Sequence, residues 1–253
     1  MIDILFAFFF TVFVWWLSTS ILLAMTRKSY FKKKLLLMFI ATLFLGLGYA
    51  GMFWSSNNTS VLSTYIAFIS SILIWFWLEL SFLLGWATGY RKTSCPESVV
   101  GFKRAWFAFL TINYCELLIL TAAVSLYVLV WDSLNAFGFY FFMVVWIMKI
   151  GAKLNIFLGV RNFYENFLPS ELSYLQTYFR KRSMNPLFPI FILFAVWINL
   201  LFWNNALLAS NEFFQTSYTL LASLLTLGIF EHFMMVVPFQ LNKLWSIGLS
   251  EQK

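Results

Sequence analysis

KIGAKLNIFLGVRNFYENFLPSELSYLQTYFRKRSMNPLFP, residues 149–189, is where an apolar chain turns polar and then apolar again. Lys149 and Lys153 stand inside the end of one apolar run, Gly159 breaks it, and Pro186 and Pro189 open the next. Between them, residues 170–182 read as an amphipathic cytoplasmic helix. Pro169 and Ser170 suit its start, with Glu171 in the first turn. Leu168, Leu172, Leu175 and Phe179 then share one face. Arg180, Lys181 and Arg182 close it, where positive charge suits both a helix C-terminus and anionic headgroups. Such a helix lies on the membrane surface as an anchor. The face made by Leu172, Leu175 and Phe179, with Arg180, Lys181 and Arg182, is also a candidate docking surface for a partner or for lipid headgroups.

Outward from this stretch the chain is apolar. Hydrophobic residues make up 62% of it and charged residues 11%, where soluble domains carry about a quarter charged. Runs of about 20 apolar residues recur, each long enough to span a bilayer as a helix. Residues 4–25, 35–54, 61–86, 105–130, 136–158, 187–208 and 217–237 are the expected spans. Strand-like alternation is missing, which argues against an outer-membrane barrel, and lipid leaves helices as the solution for the backbone. The sequence therefore predicts an all-α, polytopic membrane helix bundle of about seven transmembrane helices, a single integral-membrane domain over residues 1–253.

A net charge of +7 does not point to nucleic acid, because the basic residues fall in alternate loops. Arg27, Lys28, Lys32, Lys33 and Lys34 follow the first span; Arg91, Lys92, Lys103 and Arg104 follow the third; Arg161 and the 180–182 run follow the fifth. The other loops carry only Asp3, Asp132 and Glu212. By the positive-inside rule the N-terminus lies outside and the C-terminus in the cytoplasm. Asp3 in place of a basic leader, and the basic cluster after the span, make the first segment an anchor rather than a signal peptide. Trp54, Trp131 and Trp203 mark one interface; Trp86, Trp106 and Trp245 mark the other.

The glycines of GLGYAG, residues 46–51, match a dinucleotide fingerprint in letters, but that fingerprint needs a strand before it. Within an apolar helix they serve close helix packing. Cys95 lies in a basic loop and Cys115 in an apolar run, without metal-ligand spacing. No Ser-His-Asp set, phosphate loop or zinc signature is present, and the last span lacks the lysine a retinal protein needs.

Charged groups inside lipid face the bundle and mark function. At about 1.5 Å of rise per residue, Glu79 lies roughly 18 Å before Arg91, Glu116 roughly 18 Å after Arg104, Lys149 roughly 18 Å before Arg161, and Glu231 roughly 18 Å before Lys243. Lys153 shares the Lys149 face, and Asn113 shares that of Glu116. The expectation is a buried polar layer of Glu79, Asn113, Glu116, Lys149, Lys153, Glu231 and His232. It serves as a structural ion-pair network, a ligand or pigment-headgroup site, or a proton relay or catalytic site. A di-iron site is disfavoured because Glu-x-x-His pairs are missing.

Several strings carry a resemblance: AKLNIFLGV at 152–160, FLPSELSYLQTYFRKRSMNPLFP at 167–189, WLELSFLLGWATG at 77–89, CPES at 95–98 with Gly101, and EHFMMVVP at 231–238. Over roughly residues 75–245 the chain resembles the photosynthetic complex assembly protein family called PuhE, of purple phototrophic bacteria. The resemblance implies a multi-pass protein of the inner or intracytoplasmic membrane that assembles reaction-centre and antenna complexes and is linked to bacteriochlorophyll supply. Its partners would be photosynthetic complex subunits or other assembly factors, besides the lipid bilayer. The alternative is a membrane enzyme or carrier for a pigment or lipid intermediate. In the family a histidine commonly precedes the carboxylate of the fourth span, where this chain has Cys115. His232, the sole histidine, is the candidate ligand for a bacteriochlorophyll-type pigment.

Overall fold

The computed structural model describes residues 2–26, 33–163 and 168–238. Arg27, Lys28, Lys32, Lys243, Trp245 and Lys253 lie outside the described residues. The α-helices are α1 (Ile2–Met25), α2 (Lys34–Ser56), α3 (Val61–Leu83), α4 (Gly101–Leu110), α5 (Asn113–Val130), α6 (Phe137–Leu158), α7 (Leu187–Leu208) and α8 (Glu212–Met234). A 3-10 helix, Ser170–Tyr178, stands between α6 and α7. Among the described residues, all the helices but α4 and the 3-10 helix are long and apolar enough to cross a membrane, which makes seven candidate spans. The protein is an all-helical membrane bundle.

Two helices form its centre. The most apolar window of α3 is 72% buried and that of α8 is 61% buried, against 11% for α1 and 17% for α7. α3 packs on α1, α2, α5, α6 and α8, while α8 packs on α1, α3, α6 and α7. Both centre on small residues that let backbones approach: Ser63, Thr64, Ser70 and Ser71 on α3, and Thr216, Ser217, Thr219 and Ser223 on α8, all buried. The Thr64 and Ser217 hydroxyls meet at 3.0 Å between the two helices, and Ser71 donates to the Gly138 carbonyl of α6 at 2.5 Å. Such contacts hold helices together where lipid removes the usual hydrophobic drive. In α2 a Cβ on Gly48 would lie 2.8 Å from Ile74 Cγ1 and 3.0 Å from the Ser70 carbonyl, so this glycine sets the α2–α3 approach.

Loops gather at two ends. At one, Asn135 donates from its backbone N–H to the Ser56 carbonyl at 2.9 Å and from Nδ2 to the Ser55 carbonyl at 3.1 Å. At the other, α6 ends at Gly159, whose φ of +124° disfavours any side chain. Asn185 stitches that end. Its Nδ2 donates to Asn155 Oδ1 at 2.9 Å and the Gly159 carbonyl at 3.0 Å, while its Oδ1 accepts from Leu187 N at 3.0 Å and starts α7.

Two elements differ from the sequence expectation. Residues 105–130 are not one span: the chain breaks at Thr111 and Ile112, between α4 and α5. There is no Pro or Gly at the break. The loop after α3 supplies substitute bonds, Arg91 N to the Leu110 carbonyl and Cys115 N to the Thr88 carbonyl, each 2.9 Å. The expected amphipathic helix over 170–182 is a 3-10 helix that stops at Tyr178, and Phe179 is extended. Leu172, Leu175 and Tyr178 are buried against this chain. Val160 and Lys181 then form a parallel bridge.

The orientation read from charge has a direct test. Reporter fusions at Ser56, Asp132 and Asn211 are expected to report the outside, and fusions at Lys92 and Arg182 the cytoplasm. Reversal at two or more sites contradicts this orientation.

Candidate functional site

α6 presents Trp146, Lys149 and Lys153 at spacings of three and four, one helical face. That face meets α3 and α5. Lys149 Nζ lies 2.5 Å from Glu79 Oε2, and Lys153 is ion-paired with Glu116 Oε1. Trp146 Nε1 points to Glu116 Oε2 at 3.5 Å, at the long limit of a hydrogen bond. Glu79 is only 8% exposed, and both lysines are largely withdrawn. Charge-assisted contacts of this kind are what allow charged groups inside the bundle. Glu231 does not reach a lysine. Its Oε1 accepts from Trp15 Nε1 of α1 at 2.7 Å, so a neutral donor holds this carboxylate across the α1–α8 contact.

The layer is shallower than helix spacing alone suggests. α3 ends at Leu83, four residues after Glu79, and the chain then folds as a loop. Glu79 is thus about 6 Å from its helix end. Glu116 is three residues from the start of α5, and Glu231 three from the end of α8. Lys149 is nine residues from the end of α6. Glu79, Glu116 and Glu231 each sit within four residues of a helix end, near the loops that carry the basic residues.

Asn113 and His232 stand apart from these pairs. Asn113 begins α5 and its Oδ1 accepts from Tyr90 N at 2.9 Å, so it fastens the loop after α3. His232 is buried, with its ring stacked on Phe191 of α7 at 5.2 Å. Its Nδ1 donates to the Gly228 carbonyl at 2.8 Å, and Nε2 has no partner. A histidine so held has the lone pair a pigment magnesium requires. Nε2 is buried within the protein. Among the described residues, no three His, Cys, Asp or Glu side chains converge as a ligand set.

Of the residues read as a docking face, Leu172 and Leu175 are occupied within the chain. Phe179 packs edge-on against Phe163 at 5.2 Å, and Lys181 Nζ lies 5.2 Å over that ring. Arg180 is half-buried and Arg182 exposed. Sequence reasoning missed Trp15 and Trp146, whose indole N–H groups serve the carboxylates. Trp146 was legible from its spacing to the two lysines; Trp15 sits on a separate helix and carried no such signal.

A family model described as a protein of unknown function, DUF3623, matches residues 1–253. The chain belongs to the DUF3623 family. A Rhodobacter capsulatus relative is 32% identical over 240 residues, covering 93% of this chain and 87% of its own length. It is described as an uncharacterized 30.4 kDa protein in the puhA 5′ region. No solved structure matches the chain.

The Lys149–Glu79 pair gives this site a direct test. Lys149→Met leaves the Glu79 carboxylate without its counter-charge and is expected to cost about 3 kcal/mol. Glu79→Leu with Lys149→Met removes both charges and should return to within about 1 kcal/mol of the parent. Unfolding titrations in mixed micelles read the difference.

Proposed function

We propose that this chain is an inner-membrane assembly factor for photosynthetic reaction-centre and antenna complexes, linked to bacteriochlorophyll supply. The observation that carries the reading is the relative aligned along 93% of the chain and described as a protein of the puhA 5′ region. The resemblance to the PuhE assembly proteins supports it, since those strings surround the elements that build the ionic layer. Glu79 lies in the 77–89 string, Lys153 in the 152–160 string and Glu231 in the 231–238 string. In this reading the ion pairs hold α3, α5 and α6 in one register, and the bundle presents a fixed surface to its client subunits. Partners are photosynthetic complex subunits or other assembly factors, and the client meets the bundle within the bilayer.

The test separates assembly from pigment chemistry. A null strain is expected to lose most of its assembled reaction-centre and antenna complex while still making chemically normal bacteriochlorophyll. Complexes are quantified in membranes beside extracted pigments. Accumulation of an upstream pigment intermediate, with no mature bacteriochlorophyll, replaces this reading with that of a pigment-handling enzyme or carrier.

A further inference from the structure

Tyr178 closes the 3-10 helix and is 2% exposed. Two arginines bracket it. Arg91 Nε donates to its hydroxyl at 2.7 Å, and Arg104 Nη2 donates to its carbonyl. Arg180 follows two residues on. Arg91 is also held by the Ser94 carbonyl at 3.2 Å, and its guanidinium lies 4.3 Å over Phe107. Arg104 reaches inward from α4, lies 4.6 Å over Phe157 and is 7% exposed. Its Nη1 is buried with no partner.

No described counter-charge answers these groups. Among the described residues the ion pairs are Lys149–Glu79 and Lys153–Glu116, so no carboxylate is paired with Arg91, Arg104 or Arg180. Burial pulls the Arg104 pKa below its ordinary value, and the charge of Arg180 lowers it further, against opposing effects from Cys95 and Tyr178. A buried guanidinium with an unused donor and no counter-ion is a costly arrangement, and an oxyanion is the group that completes it.

The outer face of α4 indicates where that anion comes from. Phe102, Trp106 and Phe109 are 85%, 49% and 45% exposed, and spacings of four and three put them on one side of the helix. Lys103 stands exposed beside them. An aromatic stripe with flanking positive charge, on a helix too short to span, fits the headgroup region of a leaflet.

We propose that Arg91, Arg104 and Arg180 bind the phosphate of an anionic phospholipid taken from the leaflet in which α4 lies. The site belongs to the basic end and is independent of the ionic layer and of any client. The full chain is reconstituted in nanodiscs of mixed phosphatidylglycerol and phosphatidylcholine, moved to detergent, and its retained lipid counted by native mass spectrometry. Phosphatidylglycerol is expected to be retained over phosphatidylcholine. Arg104→Gln and Arg180→Gln should each reduce that retention about tenfold, while Lys92→Gln, a loop control, changes it less than about twofold. Arg180 is half-buried and serves where Arg104→Gln fails to fold. Equal retention of the two lipids, or unchanged retention in the arginine variants, overturns the proposal. Displacement of the lipid by millimolar inorganic phosphate alone also overturns it and assigns the site to a soluble anion.

Discussion

A charge inside a bilayer without its counter-charge costs several kcal/mol, and α6 carries two such charges, Lys149 and Lys153. Glu79 of α3 answers one and Glu116 of α5 the other. Each pair therefore decides which helix stands beside α6 and at what height. The apolar core alone specifies this weakly, because phenylalanine and leucine pack against many neighbours. Glu231 extends the same level toward α1, where Trp15 supplies a hydrogen bond rather than a charge. Among the described residues Glu79 and Glu116 face the two lysines, while Glu231 is exposed and held by Trp15 instead.

The centre of the bundle is built from small hydroxyl residues on α3 and α8, which bond to their own helices, to each other or, for Ser71, to α6. They allow close backbone contact without leaving polar groups to lipid. The basic end is built differently. The loop after α3, the short helix α4 and the 3-10 helix interlock through Arg91, Arg104 and Tyr178. One end of the molecule is thus tied by few loop contacts, and the other carries a folded cap rich in arginine.

The spans were legible because hydropathy depends on local composition alone, and α7 begins and ends where the sequence places it. The companion groups of the two lysines were legible through their depth, which charge in lipid constrains strongly. The break at Thr111 and Ile112 was not legible, because its cause is a distant loop that takes over the backbone bonds. The same override shortened the depth count, since α3 stops at Leu83 instead of running on toward Arg91. The 3-10 geometry of residues 170–178 follows from burial of Leu172, Leu175 and Tyr178 against the cap, a tertiary contact that the amphipathic pattern shows only as an apolar face. Asn113 shares helical spacing with Glu116 but stands on the turn where α5 begins, and there the loop after α3 claims it.

Under the proposed assembly function, pairing across α3 and α6 holds the bundle in the form its clients require. The direct measurement is the amount of assembled reaction-centre and antenna complex in membranes of strains carrying Glu79→Lys, Lys149→Glu, or both, at matched protein levels. Each single reversal is expected to abolish most assembly, and the double reversal to restore the larger part of it. A double reversal as defective as the single ones, in a protein still present in the membrane, would contradict this expectation.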